Sequence, residues 1–407
     1  MYKLHKLNSG MDLILINRDS MRSAAVLFCV KAGSVHEIDE NSGVSHFIEH
    51  TVFRKTKNRD IIEIKKPIEE IGGTINAFTS RNITVFYSKV PEKEVELAID
   101  TLSDITFHAS LDEEDIEKER SIILEEIAMY EDDPVDNAFE NLFKNVYDEN
   151  FGRPILGSKK NVKAFNHKKV YEYYEKYYVP QNTVAVVSGK FNEKEIIEKF
   201  ESIKCLRNGE KNTFKSPILK QENVFVKKTK RDLNQVYIIN GFEAPAKNSK
   251  LYFPTLVLNT LLGSGMSSLL FTDIREKTGL VYEIATDYNA YSKSGLFVIF
   301  AATSEDKQEK FENKLKNILE TIIERKDIKE WVEYGKKRIS GKLTLDIESN
   351  VSMGMNSLDL YLSYNRIVNI DEIIENISKV TVEDVKKVAK TIFFNKKYVS
   401  ILKPETD

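Results

Sequence analysis

The stretch Ser45-His46-Phe47-Ile48-Glu49-His50-Thr51-Val52-Phe53 carries two histidines and a glutamate at the spacing of one helical face. At 100° per residue, His46, Glu49, His50 and Phe53 fall within about 100° of one another. Imidazoles at i and i+4 can converge on one ion, the spacing a tetrahedral zinc site takes from a single helix. Glu49 shares that face one residue before the second histidine, where it can take a proton from a bound water. Val44, Phe47, Ile48 and Val52 make the opposite face apolar. A helix with one apolar face and three ionisable groups on the other is expected to be buried on both. Two half-buried histidines would satisfy the same spacing. The chain has only six His in 407 residues, however, and His-x-x-Glu-His inverts the common His-Glu-x-x-His zinc motif. A third ligand has to decide.

The candidate comes from residues 110–131, read as a helix opened by a Ser110-x-x-Glu113 capping box and closed by Asp132-Asp133-Pro134. Ile116, Glu119, Ile123, Glu126, Ile127 and Tyr130 share one face, so two carboxylates point into an apolar stripe. Buried carboxylates are costly unless paired or bound to a metal. Glu114, Glu117 and Glu125 lie elsewhere on the wheel and stay solvated. That asymmetry selects Glu126 as third ligand and Glu119 as a group supporting the ligands, against the alternative that either pairs with an Arg or Lys from another element.

Around these helices the chain alternates strand and helix patterns. Residues 11–17 and 23–31 read as strands, the second apolar enough to be central in a sheet. Residues 59–71 read as a helix ended by Gly72-Gly73, 74–80 and 82–90 as a strand pair, and 91–108 as a helix opened by Pro91. Helices 139–151 and 168–178 flank the turn-rich Phe151–Gly157, followed by a strand over 182–189 and a helix over 193–203. The polar stretch Arg207–Gln221 is the linker candidate. A second half then repeats the order: strand 235–242, helix 250–262, a further helix after Gly263-Ser264-Gly265, and strands near 283–302. Helices 305–326, 328–347, 369–377 and 381–392 and a strand 397–403 complete it. The expected division is 1–206, a linker 207–221, and 222–407.

Hydrophobic content of 41 % and charged content of 30 % fit a globular protein and exclude a disordered one. No run of 18 apolar residues exists, so no membrane span is expected, and the N-terminus lacks a signal-peptide core. Cytoplasmic residence follows as an expectation. Cys29 and Cys205, without Cys-x-x-Cys spacing, read as thiols of a reducing compartment. A net charge of −3 implies neither nucleic acid nor membrane as partner.

With His46-Phe47-Ile48-Glu49-His50 and, 76 residues after His50, Glu126 within Glu119-Arg120-Ser121-Ile122-Ile123-Leu124-Glu125-Glu126, the chain resembles the M16 metallopeptidase family. The likeness is to its short, two-domain M16B-type branch, the processing-peptidase-like chains. Gly73–Thr84, Phe151–Gly157 and Leu262–Tyr282 also look like family segments, so the resemblance covers nearly the whole chain. It implies an α+β fold of two related halves, each a mixed β-sheet covered by helices, in a clamshell arrangement like that of the mitochondrial processing peptidase. It also implies one zinc ion per chain on His46, His50 and Glu126, with Glu49 as general base and Glu119 supporting. From the second half it implies an Arg and a Tyr that reach the substrate, matched by Arg275 and Tyr282 in Ile274-Arg275-Glu276-Lys277-Thr278-Gly279-Leu280-Val281-Tyr282. It further implies that Asn76, Ala77 and Phe78, in the strand ending at Thr79, hold the substrate as an added β-strand.

Two departures stand out. The family's Phe-Lys-Gly-Thr after the zinc helix is Phe53-Arg54-Lys55-Thr56 here, and Leu269 replaces an Arg in Met266-Ser267-Ser268-Leu269-Leu270-Phe271. Neither is expected to touch a ligand. The resulting expectation is a zinc endopeptidase acting on peptides or unfolded segments inside a closed homodimer, a heterodimer being the alternative assembly. Its rivals are a maturation peptidase dedicated to one precursor peptide and, from another class, a non-catalytic subunit of a hetero-oligomer. The non-catalytic relatives typically lose ligands that this chain keeps.

Overall fold

Runs of β-branched and aromatic residues assemble into two sheets in the computed structural model, which describes residues 2–205, 207–209, 211–231 and 233–405. The first sheet is built from β1 (Tyr2–Lys6), β2 (Asp12–Asn17), β3 (Ser23–Val30), β4 (Thr74–Thr79), β5 (Thr84–Pro91) and β6 (Thr183–Gly189). The second uses β7 (Val224–Lys230), β8 (Val236–Ala244), β9 (Glu283–Ala290), β10 (Gly295–Thr303) and β11 (Lys397–Pro404). Leaving β1 aside, the first sheet is ordered β2-β6-β3-β5-β4 and the second β7-β11-β8-β10-β9. In each, the first of the five strands pairs parallel with the last and every other pairing is antiparallel. The two sheets therefore share one topology, and both are mixed sheets covered by helices, as expected. β3 is interior and almost wholly buried, while β4 is an edge strand.

The helix placed by the His-x-x-Glu-His stretch is Val44–Thr51, between β3 and β4. Its topological counterpart between β8 and β9 is Tyr252–Gly263, which contains no His, Asp or Glu.

The contiguous division into 1–206, 207–221 and 222–407 differs from the way the chain packs. One compact unit is Met1–Ala128, Arg153–Lys215 and Leu345–Asn369; the other is Met129–Gly152, Ser216–Thr344 and Ile370–Asp407. The ends of the expected division at Met1 and Asp407, its junction at Leu206 and the linker's Glu210 lie outside the described residues. The physical reason is coverage of the sheets. Helix Asn350–Tyr364, unforeseen in the sequence, packs on β3 and β6 of the first unit. Tyr361 donates to Asp12 Oδ2 at 2.8 Å, and Asn350 Nδ2 donates to the Ser23 carbonyl at 2.8 Å. In the second unit, helix Pro134–Val146 packs in the same way on β11, β8 and β7. Nor is the polar stretch after Arg207 a solvated linker. Asn212 N–H donates to Asn182 Oδ1 at 2.7 Å and Lys215 N–H to Asn82 Oδ1 at 2.8 Å, strapping it to the first unit.

Other boundaries shift too. Pro91 ends β5 instead of opening a helix, and a 3-10 turn, Glu92–Glu94, precedes helix Val95–Phe107. Strand β7, rich in lysine, was not foreseen. Among the described residues no helix is long and apolar enough to cross a membrane.

Candidate active site

The site begins with how its short helix is held. Helix Val44–Thr51 starts at Gly43, whose φ of +97° favours glycine. A Cβ there would come within 2.5 Å of the Leu156 carbonyl. Gly157, at φ +75°, packs back against Ser42 and Gly43, so the turn-rich segment and the helix entry meet backbone to backbone. The helix's first N–H groups are answered from a distance. Glu37, 3 % exposed, accepts from Gly43 N–H at 2.7 Å and from Ser45 N–H at 2.9 Å. A carboxylate at a helix N-terminus is favourable. Burial nonetheless pushes Glu37 up to about 7, with the bonds from Gly43 and Ser45 pulling the other way. Arg153 in turn donates to the Glu37 carbonyl at 2.9 Å and to Asp39 Oδ1 at 2.7 Å.

Burial follows the expected two-faced pattern. Val44, Phe47, Ile48 and Val52 are fully buried and His46 is 7 % exposed; Phe47 meets Phe165 edge-on at 5.1 Å. Facing this helix, Glu113–Asp132 brings in Glu119 and Glu126. Its expected capping box does not form, because Leu111 takes φ +53° and the helix starts only at Glu113. The Glu113 carboxylate instead accepts from His167 N–H at 2.9 Å. Ile116, Glu119, Ile123 and Ile127 are buried as the wheel required, whereas Tyr130 is 46 % exposed.

His46 Nε2 lies 3.6 Å and His50 Nε2 3.5 Å from Glu126 Oε2. One ligand atom from each of His46, His50 and Glu126 falls within 4.8 Å of the others. Zinc bonds of about 2.1 Å set tetrahedral edges of about 3.4 Å, so the two His-to-Glu spacings are those of edges around one ion. Glu126 Oε2 and His46 Nδ1 are buried with no hydrogen-bond partner among the described residues. An orphaned carboxylate oxygen aimed between two imidazoles fits a cation, and the donor set fits zinc. Burial, and then the neighbouring His50, hold His46 down at about 3, so its ring is neutral and offers a lone pair. For His50 burial works in the same direction. The hydrogen bond to Glu119 and the carboxylates of Glu49 and Glu126 outweigh it and raise the ring.

Glu119 Oε2 lies 3.1 Å from His50 Nδ1, and its Oε1 accepts from Arg54 Nε. Burial raises Glu119, but these two bonds more than offset it and hold the carboxyl below its usual range. Arg54, in the segment expected not to touch a ligand, bonds none of the three candidate ligands directly but meets the carboxylate that bonds His50. The missing glycine beside it costs nothing, because Lys55 has no positive φ.

Glu49 accepts from Thr79 Oγ1 at 2.7 Å and from the Thr79 backbone N–H. Burial raises it above the usual carboxylate range despite these bonds. Thr79 closes the edge strand β4. Ala77 N–H donates to its neighbour's Asn76 Oδ1 at 2.8 Å. Ala77 and Thr79 therefore present their N–H groups to the open side of the strand, as alternation along an edge requires. Asn76 and Phe78 are exposed and Ala77 is half-buried.

The structure thus brings His46, Glu49, His50, Glu119 and Glu126 together, with Asn76, Ala77 and Phe78 on the strand beside the helix. Arg275 and Tyr282 belong to the second unit. Arg275 sits in a π-helical turn, Phe271–Glu276, its guanidinium 4.6 Å from the Phe271 ring centroid, and its side chain is exposed. The turn is anchored by Asp273, which accepts from Arg325 at 3.0 Å. Tyr282 is 57 % exposed, just ahead of β9, and Leu269 is fully buried. Glu37, Arg54 and Arg153 were missed in the sequence. Only Arg54 had a local signal, the i+4 row His46–His50–Arg54.

Residues 13–159 match the family described as Insulinase (Peptidase family M16), and residues 164–334 match the Peptidase M16 inactive domain. The second match accords with a helix Tyr252–Gly263 that lacks His, Asp and Glu. The chain is 31 % identical over 410 residues to the uncharacterized zinc protease YmxG of Bacillus subtilis (strain 168), covering 99 % of this chain and 98 % of that protein. It is 32 % identical over 395 residues to an uncharacterized zinc protease of Rickettsia felis, covering 96 % and 95 %. Its fold is that of a protease from Helicobacter pylori, with a TM-score of 0.89, 22 % identity and 99 % of both chains covered. With both halves matched and near-complete relatives at about a third identity, the chain belongs to the M16 family of zinc peptidases.

Proposed function

We propose that this chain is a zinc endopeptidase with one zinc ion per chain held by His46, His50 and Glu126 and with Glu49 as general base. The observation that carries the reading is the convergence of those three ligand atoms, with Glu49 on the same helix face. When bound, zinc supplies a Lewis acid for the substrate carbonyl and for water. Glu49 takes the proton of the attacking water and returns it to the leaving amine. Its raised pKa suits a group that must hold that proton for part of the cycle. Thr79 keeps its carboxylate oriented, and Glu119 does the same for the His50 ring.

The open edge of β4 supports a substrate laid down as an extra strand through Asn76, Ala77 and Phe78, by main-chain hydrogen bonds that tolerate varied side chains. Tyr282 is assigned to the developing oxyanion and Arg275 to a substrate carbonyl. Both roles come from the family resemblance and are compatible with the exposure of the two side chains. The working form in this reading is a cytoplasmic homodimer enclosing a chamber, which restricts substrates to peptides and unfolded segments.

The test is a quenched peptide before and after metal removal. Chelation is expected to abolish cleavage and one equivalent of zinc per chain to restore it. Cleavage that survives complete zinc removal would refute the proposal.

A further inference from the structure

Between the loop leaving the site helix and the segment that follows helix Glu193–Glu201 lies a recess of about 260 Å³, wholly within the first unit. Lys57, Lys204 and Arg207 bring three cations to it, Tyr171 and Tyr174 supply aromatic walls, and none of its lining residues is acidic.

Arg207 is the fixed cation of the three. Its guanidinium stacks on Tyr174, 4.3 Å from the ring centroid, and one terminal nitrogen donates to the carbonyls of Phe107 and Tyr178 at 2.8 and 3.0 Å. Burial works against its charge, but Tyr174 and Cys205 outweigh burial and hold the guanidinium above its ordinary value. Tyr171 bonds it too and is shared with Glu175. Among the described residues neither Lys57 nor Lys204 has an acidic partner. The ring stack and the two carbonyls hold this half-buried guanidinium in a fixed position at the recess. Here two lysines add to the local positive potential, in a chain whose net charge is −3.

We propose that the recess binds a small phosphate monoester, with the phosphate among Lys57, Lys204 and Arg207 and the organic group against Tyr171. Lysine suits phosphate as a point charge and arginine as a fixed donor. Tyr171 is itself stacked on His167, with 5.1 Å between ring centroids. It is also bonded to Arg207 and to Glu175, the one carboxylate that reaches this wall among the described residues, so the ring is held as a rigid wall. The volume falls just below the usual range of small-molecule pockets, about 300–1,000 Å³, room for an ester with one ring. Lys57 N–H donates to the His108 carbonyl at 2.9 Å, which fixes the loop that carries the first lysine.

The experiment follows thermal unfolding of the full chain at matched ionic strength with phenyl phosphate and, separately, inorganic phosphate. It compares wild type with the double variant Lys57→Ala/Lys204→Ala, both positions being exposed and safe for folding. Phenyl phosphate is expected to raise Tm with concentration and to bind more tightly than inorganic phosphate. The double variant should weaken its binding roughly tenfold, as loss of two exposed charge contacts implies. No rise in Tm, equal binding of the two anions, or an unchanged Kd in the double variant would overturn the proposal. The last result would place the anion elsewhere on the protein.

Discussion

His50 is held from both sides of its ring. Glu119 Oε2 sits at Nδ1, and Glu126 Oε2 lies 3.5 Å from Nε2. An acceptor at Nδ1 places the ring proton there and leaves the Nε2 lone pair for a metal. Arg54 occupies the other oxygen of Glu119 and fixes the direction of that carboxylate. Replacing Arg54 with alanine is therefore expected to weaken zinc binding by about 10- to 100-fold, with partial recovery in Arg54→Lys. The combined Arg54→Ala/Glu119→Gln variant should bind no more weakly than Glu119→Gln alone. Competition against a chelator measures all four, and unchanged affinity in Arg54→Ala would remove Arg54 from the site. His46, Glu49, His50, Glu119 and Glu126 were legible because each pattern is local to one helix and follows its period. Glu37 was not, because it serves its helix from outside, through a fold-dependent approach to Gly43 and Ser45 that no spacing encodes.

At the scale of elements, β4 links the proposed substrate edge to the base. Its Ala77 N–H points to the open side and is met by Asn76, while Thr79 touches Glu49 with both hydroxyl and N–H. Proline is tolerated on an edge strand where the N–H faces outward. Ala77→Pro is thus expected to keep the fold, with Tm shifted by only a few degrees, yet to lower kcat/KM for peptides by about tenfold through one lost main-chain bond. Unaltered peptide kinetics in a folded Ala77→Pro protein would exclude β4 as the substrate edge. Elements with strong periodicity were readable, among them β3, β6 and Val44–Thr51. Asn350–Tyr364 was not, because its Ser, Gly and Asn residues weaken the helical pattern and its partner face is set by the fold: Gly354 packs against Leu27. β7 was hidden by Lys227, Lys228 and Lys230, tolerable because β7 is an edge strand.

For the whole molecule, the repeated strand order of the two sheets accounts for one duplicated architecture with divided roles. The first unit carries His46, Glu49 and His50 on the helix between β3 and β4, and the corresponding helix between β8 and β9 has no His, Asp or Glu. Segments 129–152 and 345–369 are exchanged between the linear halves. A chain ending at Lys215 lacks the helix that covers β3 and β6 and is expected to unfold without cooperativity and to bind hydrophobic dye. A sharp thermal transition in that fragment would show that the exchange is dispensable.

The central claim is that His46, His50 and Glu126 hold zinc while Glu49 moves the proton. The most direct measurement is zinc content and peptide turnover in the same preparations of wild type and Glu49→Gln. The account predicts about one zinc per chain in both and a loss of turnover of about 10²- to 10⁴-fold in the variant. Turnover by Glu49→Gln at the wild-type rate, or a wild-type protein that cuts peptides without zinc, would contradict it.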